Sequence, residues 1–317
     1  MDNRKVVVLN AGKMNYDGLL DFSSLSPETV VYDDSKADQI LERIEGAAAV
    51  VTKELPVPAE MIAQFPDSVK LICEAGTGYN NIAIEAARKK GITVCNVPAY
   101  SSQRVAHTAI MLMLNLSSTM QTQIGMLAKG DRSNFTKYLQ VPHVELNGKT
   151  IGVIGCGNIG RQVIKVAQAM EMKVLCYTRT PGADEENLHF VSLEELLKES
   201  DYVSLHCPLS DATRHLINEE TLALMKPTAF LINTSRGALI DEQALIRALK
   251  AGKIAGAGLD VQETEPPAED NPLYTMSNVI MTPHMGWKGL ETRQRLVGVV
   301  ENDIKSFFKG SPINVVS

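Results

Sequence analysis

The chain has 317 residues, more than one compact core usually holds, so two domains are the prior expectation. Apolar residues make up 44% and charged residues 21%, an ordinary balance for a soluble globular protein. A formal net charge of −6 argues against non-specific binding to nucleic acid or anionic membrane, and no apolar run approaches the roughly 20 residues of a membrane span.

The opening MDNRKVVVLNAG carries an apolar run too short for a signal peptide and reads as a first strand. Further strand-like runs are AAAVVTK (47–53), KLICEAG (70–76) and TVCNV (93–97). A second set comprises TIGVIG (150–155), KVLCYT (173–178), YVSLHC (202–207), AFLINT (229–234), GAGLDV (256–261) and NVIMTP (278–283). These runs are almost wholly apolar rather than alternating, as parallel strands covered on both faces should be. Helical patterns separate them, among them SLEELLKES (192–200) and DEQALIRALKAG (241–252), the latter opening on a capping Asp241 and ending at Gly252. Such alternation predicts an α/β protein of doubly wound domains. A long apolar helix over 105–120 is expected to connect two domains, and its run IMLMLNL (110–116) is a plausible subunit interface. The last helix spans 289–310. One domain is expected over 1–100, with the C-terminal segment 287–317 returning to it, and a second over 101–286. The five cysteines form no CxxC pair, which suggests free thiols in a reducing cytoplasm, with no disulfide framework and no metal site.

GCGNIG (155–160) follows one strand run and opens a helix with Asn158 and Ile159. In a dinucleotide site the first glycine, Gly155, allows the tight turn. The second, Gly157, admits the pyrophosphate, and the third, Gly160, lets helix and strand pack closely. The helix N-terminus then offers N–H groups and the positive end of its dipole. A glycine-rich turn without a ligand is the competing reading. At the end of the next strand run, where an NAD site usually places a carboxylate for the ribose 2′-OH, the chain has Thr178 and Arg179. A hydroxyl and a guanidinium suit a 2′-phosphate, so NADP(H) is favoured and NAD(H) remains possible.

Three more polar stretches end apolar runs: INTSRGALID (232–241), LDVQETEPP (259–267) and MTPHMGW (281–287). They contribute Arg236, Glu265 and His284. Taken singly, these are a surface cation, a turn acid and a loop histidine. Together at strand ends of a dinucleotide-binding domain they offer a guanidinium, a carboxylate and an imidazole where open α/β sheets place ligands. His284 could polarise a keto oxygen and give it a proton. Glu265 on the far ring nitrogen would fix the tautomer, and Arg236 could grip a carboxylate as a fork.

With these motifs in order, the chain resembles the D-isomer-specific 2-hydroxyacid dehydrogenases over essentially its whole length. AGTGYNNI (75–82) and NVPAYSS (96–102) share in the resemblance. Within the family it looks most like the glycerate dehydrogenases, also called hydroxypyruvate reductases. The resemblance implies a Rossmann-type dinucleotide-binding domain and a flavodoxin-like substrate domain. It further implies Arg236, Glu265 and His284 as the catalytic set, and Asp260 on the nicotinamide carboxamide. Cys207, Pro208, Thr234, Ser235 and Gly286 would line the cofactor. The loop Gly76-Thr77-Gly78 would hold the substrate carboxylate in an interdomain cleft, Trp287 would wall the substrate pocket, and the protein would be a homodimer. The family often has an Asp where this chain has Asn80 or Asn81. Lys53 is expected to be solvated, and His107 packed or at an interface. His143, His189 and His215 are expected in loops or on the surface, and His206 is given no chemistry. The expected reaction is NAD(P)H-linked reduction of a small 2-keto acid, hydroxypyruvate or glyoxylate favoured. A phosphoglycerate dehydrogenase-like enzyme or a non-catalytic dinucleotide-sensing protein of the same fold are the alternatives.

Overall fold

The computed structural model describes residues 4–317; residues 1–3, the start of the first expected domain, lie outside the described residues. The chain divides into two compact units, Met1–Ser101 with Trp287–Ser317, and Ser102–Gly286.

The first unit holds five parallel strands, β1 (Val6–Val8), β2 (Thr29–Val31), β3 (Ala49–Thr52), β4 (Leu71–Glu74) and β5 (Thr93–Cys95). Their order is β2-β1-β3-β4-β5, the flavodoxin-like winding. Successive strand residues point to opposite faces. Val6, Val8, Val51 and Leu71 therefore pack against Leu296, Val300 and Ile304 of the helix Leu290–Phe308. Val7, Val50, Ile72 and Val94 pack on the other side with Ile40, Ile62 and Ala87. Both faces are covered, which is why the strands read as unbroken apolar runs.

The second unit holds seven parallel strands, β6 (Thr150–Ile154), β7 (Lys173–Tyr177), β8 (Leu188–Phe190), β9 (Tyr202–Leu205), β10 (Phe230–Asn233), β11 (Gly256–Leu259) and β12 (Val279–Met281). They are ordered β12-β11-β10-β9-β6-β7-β8. The chain winds outward in both directions from β6, so the β6–β9 junction is the topological switch point at which such sheets bind ligands. The helices Ser102–Ser117 and Asn158–Ala169 cover one face, through Leu112 and Val163 among others. The helices Leu193–Glu199, Glu219–Leu224 and Glu242–Lys250 cover the other. The last of these is capped as its sequence suggests: Asp241 accepts from the Ala244 N–H at 2.9 Å, and Gly252 beyond its end has φ +63°.

Several local expectations are corrected. β2 and β8 are absent from the sequence reading. Neither has the buried run that marks a strand: no residue of β2 is buried, and His189 in the middle of β8 is exposed. The helix expected over 105–120 runs over Ser102–Ser117, starting and ending three residues earlier, and a second helix, Met120–Ala128, begins after Thr119 with φ +50°. The run 110–116 is largely buried in its own unit: Ile110, Leu112, Met113 and Leu116 belong to the core. The exposed apolar side chains lie further on, at Met120, Ile124, Leu127, Phe135 and Tyr138. His107 is exposed rather than packed. All five cysteines are free, with Cys156 and Cys207 half-buried and the rest buried.

One buried acid makes stability depend on pH. Asp303, fully buried in the helix Leu290–Phe308, accepts from Asn314 Nδ2 at 2.7 Å through Oδ1, while Oδ2 has no partner among the described residues. Burial pushes its carboxyl up to about 6 from the ordinary 3.8. The folded state therefore holds more protons than the unfolded chain between about pH 4 and 6, and stability falls as pH rises through that window. The rise corresponds to roughly 3 kcal/mol at neutral pH. In Asp303→Asn this contribution to the decline should vanish, as read from urea unfolding free energies of both proteins at pH 4.5 and 7; an identical pH dependence would refute it.

Candidate active site

The three glycines of GCGNIG face three different demands. Gly155 follows β6 with φ +104°, and a Cβ there would lie 2.6 Å from the Cys207 nitrogen and the His206 carbonyl carbon. The turn thus rests directly on the backbone leaving β9, across the switch point. A Cβ on Gly160 would lie 2.0 Å from the Gly155 carbonyl oxygen, so the helix Asn158–Ala169 can start only above a bare residue. A Cβ on Gly157 would meet nothing within 4 Å. Gly157 is exposed at the helix N-cap, and no side chain caps the first turn. A cradle of unclaimed helix N–H groups beneath an accessible glycine fits a dinucleotide pyrophosphate.

The other residues expected at a cofactor lie along the same carboxyl edge. Thr178, half-buried, and Arg179, exposed, follow β7. Cys207 and Pro208 follow β9 by way of His206, whose imidazole burial pushes down to about 4. His206 Nε2 pairs with Ser204 Oγ at 2.8 Å. Its Nδ1 and the Oγ1 of Thr234, beyond β10, are buried without hydrogen-bond partners among the described residues. Orphaned polar atoms at a ligand-binding edge are what a bound polar molecule would satisfy. Ser235 ties two loops together by donating from Oγ to the Cys207 carbonyl at 2.7 Å.

Arg236, Glu265 and His284 stand beyond β10, β11 and β12, three adjacent strands. Glu265 Oε2 lies 2.8 Å from His284 Nδ1, and its Oε1 accepts the Gln262 N–H at 3.1 Å, so both carboxylate oxygens are engaged. Arg236 is exposed. Its Nη1 donates to the Ser235 carbonyl at 2.7 Å, and its own carbonyl accepts from Asn233 Nδ2 at 2.8 Å. The loops after β10 and β11 approach so closely that a Cβ on Gly237 would fall 1.9 Å from the Gln262 carbonyl carbon. Gly237 and Gln262 have no place in a reading of single motifs, because each acts on a residue from another loop.

Asp260, 1% exposed, organises the turn that carries His284. Its Oδ1 accepts from Thr282 Oγ1 at 2.5 Å and the Met285 N–H at 2.9 Å, and its Oδ2 accepts the Gly286 N–H at 2.8 Å. Its carbonyl accepts the His284 N–H at 2.8 Å. His284 takes φ +47°, left-handed strain of the kind that persists only where the surroundings enforce it. Gly286 is bare because a Cβ would lie 2.8 Å from Asp260 Oδ2, which is a reason internal to the turn.

The remaining residues belong to the first unit. Gly76 is buried, and its N–H donates to the Glu74 carbonyl at 2.8 Å. Thr77 is pinned through Oγ1 to the Val97 carbonyl at 3.0 Å, and through its carbonyl to Asn96 Nδ2 at 2.7 Å. These bonds hold the Thr77 peptide in place within the loop. Trp287 is only 7% exposed and packs in the core. Lys53 is 3% exposed, not solvated, and lies 4.3 Å over the Trp287 ring. In the second unit, His215 pairs with Glu263 at 2.7 Å.

The roles of the second and third glycines of the loop can be separated by substitution. Gly157→Ala should leave the melting temperature within about 1 °C of the parent while weakening dinucleotide affinity. Gly160→Ala should cost roughly 1–3 kcal/mol and lower the melting temperature by several degrees. Thermal denaturation beside a nicotinamide dinucleotide titration checks both.

Residues 110–286 match the family described as D-isomer specific 2-hydroxyacid dehydrogenase, NAD binding domain. A hydroxypyruvate reductase of Blautia hydrogenotrophica is 39% identical over 322 residues, covering 99% of each chain. Among solved structures, a glyoxylate reductase from Paecilomyes thermophila superposes with a TM-score of 0.85 at 32% identity, covering 100% of this chain and 99% of that one. An acyclic imino acid reductase in complex with NADPH and D-Arg gives 0.84 at 30% identity, covering 99% and 100%. The chain belongs to the D-isomer-specific 2-hydroxyacid dehydrogenases, enzymes that pass a hydride between a nicotinamide dinucleotide and C2 of a small 2-keto or 2-hydroxy acid.

Proposed function

We propose that this enzyme reduces hydroxypyruvate to D-glycerate, or glyoxylate to the achiral glycolate, with NADPH preferred over NADH. The observation that carries the catalytic assignment is the 2.8 Å contact of Glu265 Oε2 with His284 Nδ1 at the carboxyl edge of the dinucleotide-binding sheet. The bound dinucleotide supplies the hydride. Glu265 accepts from Nδ1–H, which leaves Nε2 of His284 as the nitrogen that gives its proton to the keto oxygen. Arg236 binds the substrate carboxylate and polarises the carbonyl with donors that Ser235 does not occupy. In the first unit, the N–H groups of Thr77 and Gly78 are themselves suited to a carboxylate. Asp260 acts by holding the turn on which His284 stands.

The cofactor preference rests on Thr178 and Arg179. No carboxylate follows β7 at positions 178–180 to repel a 2′-phosphate, and the exposed guanidinium can reach one. We assign the exposed apolar side chains from Met120 to Tyr138 to the contact of a cytoplasmic homodimer, which the mass in solution by light scattering decides.

His284→Ala should lower kcat by roughly 100-fold to 10,000-fold while changing cofactor affinity little. Absorbance of the nicotinamide band with hydroxypyruvate, and fluorescence titration of the dinucleotide, measure the two quantities; a variant of near-parental kcat would sink the assignment. Arg179→Ala should reduce kcat/KM for NADPH about tenfold, and leave that for NADH almost unchanged. A parental enzyme that works better with NADH would overturn the preference.

A further inference from the structure

Lys53 is a buried cation at the end of β3, beside the loop that begins at Gly76. Its peptide group is bracketed by Asn10, which donates from Nδ2 to the Lys53 carbonyl at 2.5 Å and accepts its N–H at 2.9 Å. The ammonium lies 2.6 Å from Glu54 Oε1 and 4.3 Å over Trp287. A Cβ on Gly76 would lie 3.2 Å from this nitrogen and 3.3 Å from Glu74 Oε1. Gly76 is thus bare at the point where the ammonium reaches the loop. Glu74, fully buried, accepts from Thr52 Oγ1 and the Glu54 N–H at 2.8 Å each and from Asn81 Nδ2 at 2.9 Å. Its carboxylate ties the Lys53 segment to the far end of the same loop.

An ammonium has three N–H donors. Glu54 takes one and the face of Trp287 engages another. We propose that Lys53 is a substrate-specificity residue, donating a hydrogen bond to a hydroxyl on C3 of the 2-keto acid held at the Thr77–Gly78 loop. This rests on the reading of the enzyme as a 2-keto acid reductase and narrows its substrate to 3-hydroxy-2-keto acids. Charge decides against a phosphorylated substituent. Burial pushes the Glu74 carboxyl above its ordinary range, but Glu54 alone already balances Lys53. With Glu74 ionised the cluster is net negative, and in neither state does it hold a surplus positive charge for a phosphoryl group. Trp287 then serves substrate binding by positioning Lys53 rather than as a wall.

The test compares hydroxypyruvate with pyruvate, which lacks only the C3 hydroxyl, and with 3-phosphohydroxypyruvate. The parental enzyme should favour hydroxypyruvate over both. Lys53→Met should lower kcat/KM for hydroxypyruvate about tenfold to hundredfold, chiefly through KM, and leave pyruvate within about threefold. Equal losses on both substrates overturn the inference, as does a parental preference for pyruvate or for the phosphorylated acid. Glu54→Gln keeps Lys53 in place and removes its balancing charge, so it should raise the ratio of phosphorylated to unphosphorylated turnover about threefold to tenfold. This variant decides the matter if Lys53→Met does not fold, an unchanged ratio overturning the proposal. No turnover of any 2-keto acid by the parental enzyme with either dinucleotide refutes the broader reading instead.

Discussion

The buried carboxylate of Asp260 is the constraint on which the carboxyl edge of the second sheet depends. An ionised group removed from water is costly unless donors surround it. Here the donors are Thr282 Oγ1 and the N–H groups of Met285 and Gly286. A straight continuation of β12 could not aim these at one carboxylate, so the chain must turn sharply. The left-handed conformation of His284 and the bare Gly286 are consequences of that turn. The imidazole is therefore presented to Glu265 by backbone geometry that Asp260 enforces, not by the preferences of its own residue.

The same economy recurs where other loops meet. Gly155 lets the phosphate loop rest on the backbone leaving β9, and Gly237 lets the loop carrying Arg236 pass over the one carrying Glu265. Parallel strands deliver all their carboxyl ends to one edge, but side chains would hold the loops apart. Removing a Cβ at two crossings brings a dinucleotide cradle, a guanidinium and a Glu–His pair onto a single edge.

Strands in the middle of either sheet are legible because both faces are covered and the run is apolar throughout. β2 and β8 are not, because β2 buries no residue and β8 is broken by the exposed His189, so neither leaves a run of buried apolar residues. Arg236, Glu265 and His284 are legible because each interrupts an apolar run at its carboxyl end. Asp260 shows the limit. Its position at a strand end is readable, yet its use by residues 22 to 26 positions later is not. Trp287 and Lys53 are misjudged for the same reason. A lone aromatic reads as a pocket wall and a strand-end lysine as solvated, whereas each buries the other.

Burial alone does not mark Lys53 as functional, as Arg293 makes clear. Arg293 is 2% exposed in the same unit and sits over the Tyr16 ring. Its Nε donates to the Lys288 carbonyl at 2.9 Å, its Nη1 to the Met14 carbonyl and Asp17 Oδ1, and its Nη2 to Asp17 Oδ2 at 2.5 Å. The Asp17 carboxyl is held below its ordinary range in return. Four directed bonds from one guanidinium account for that cation as a tie between the helix Leu290–Phe308 and the segment around Asp17. Lys53 has one carboxylate and one ring face. A buried cation is weak evidence for stability, and one whose donors are incompletely used is better explained by what it can still bind.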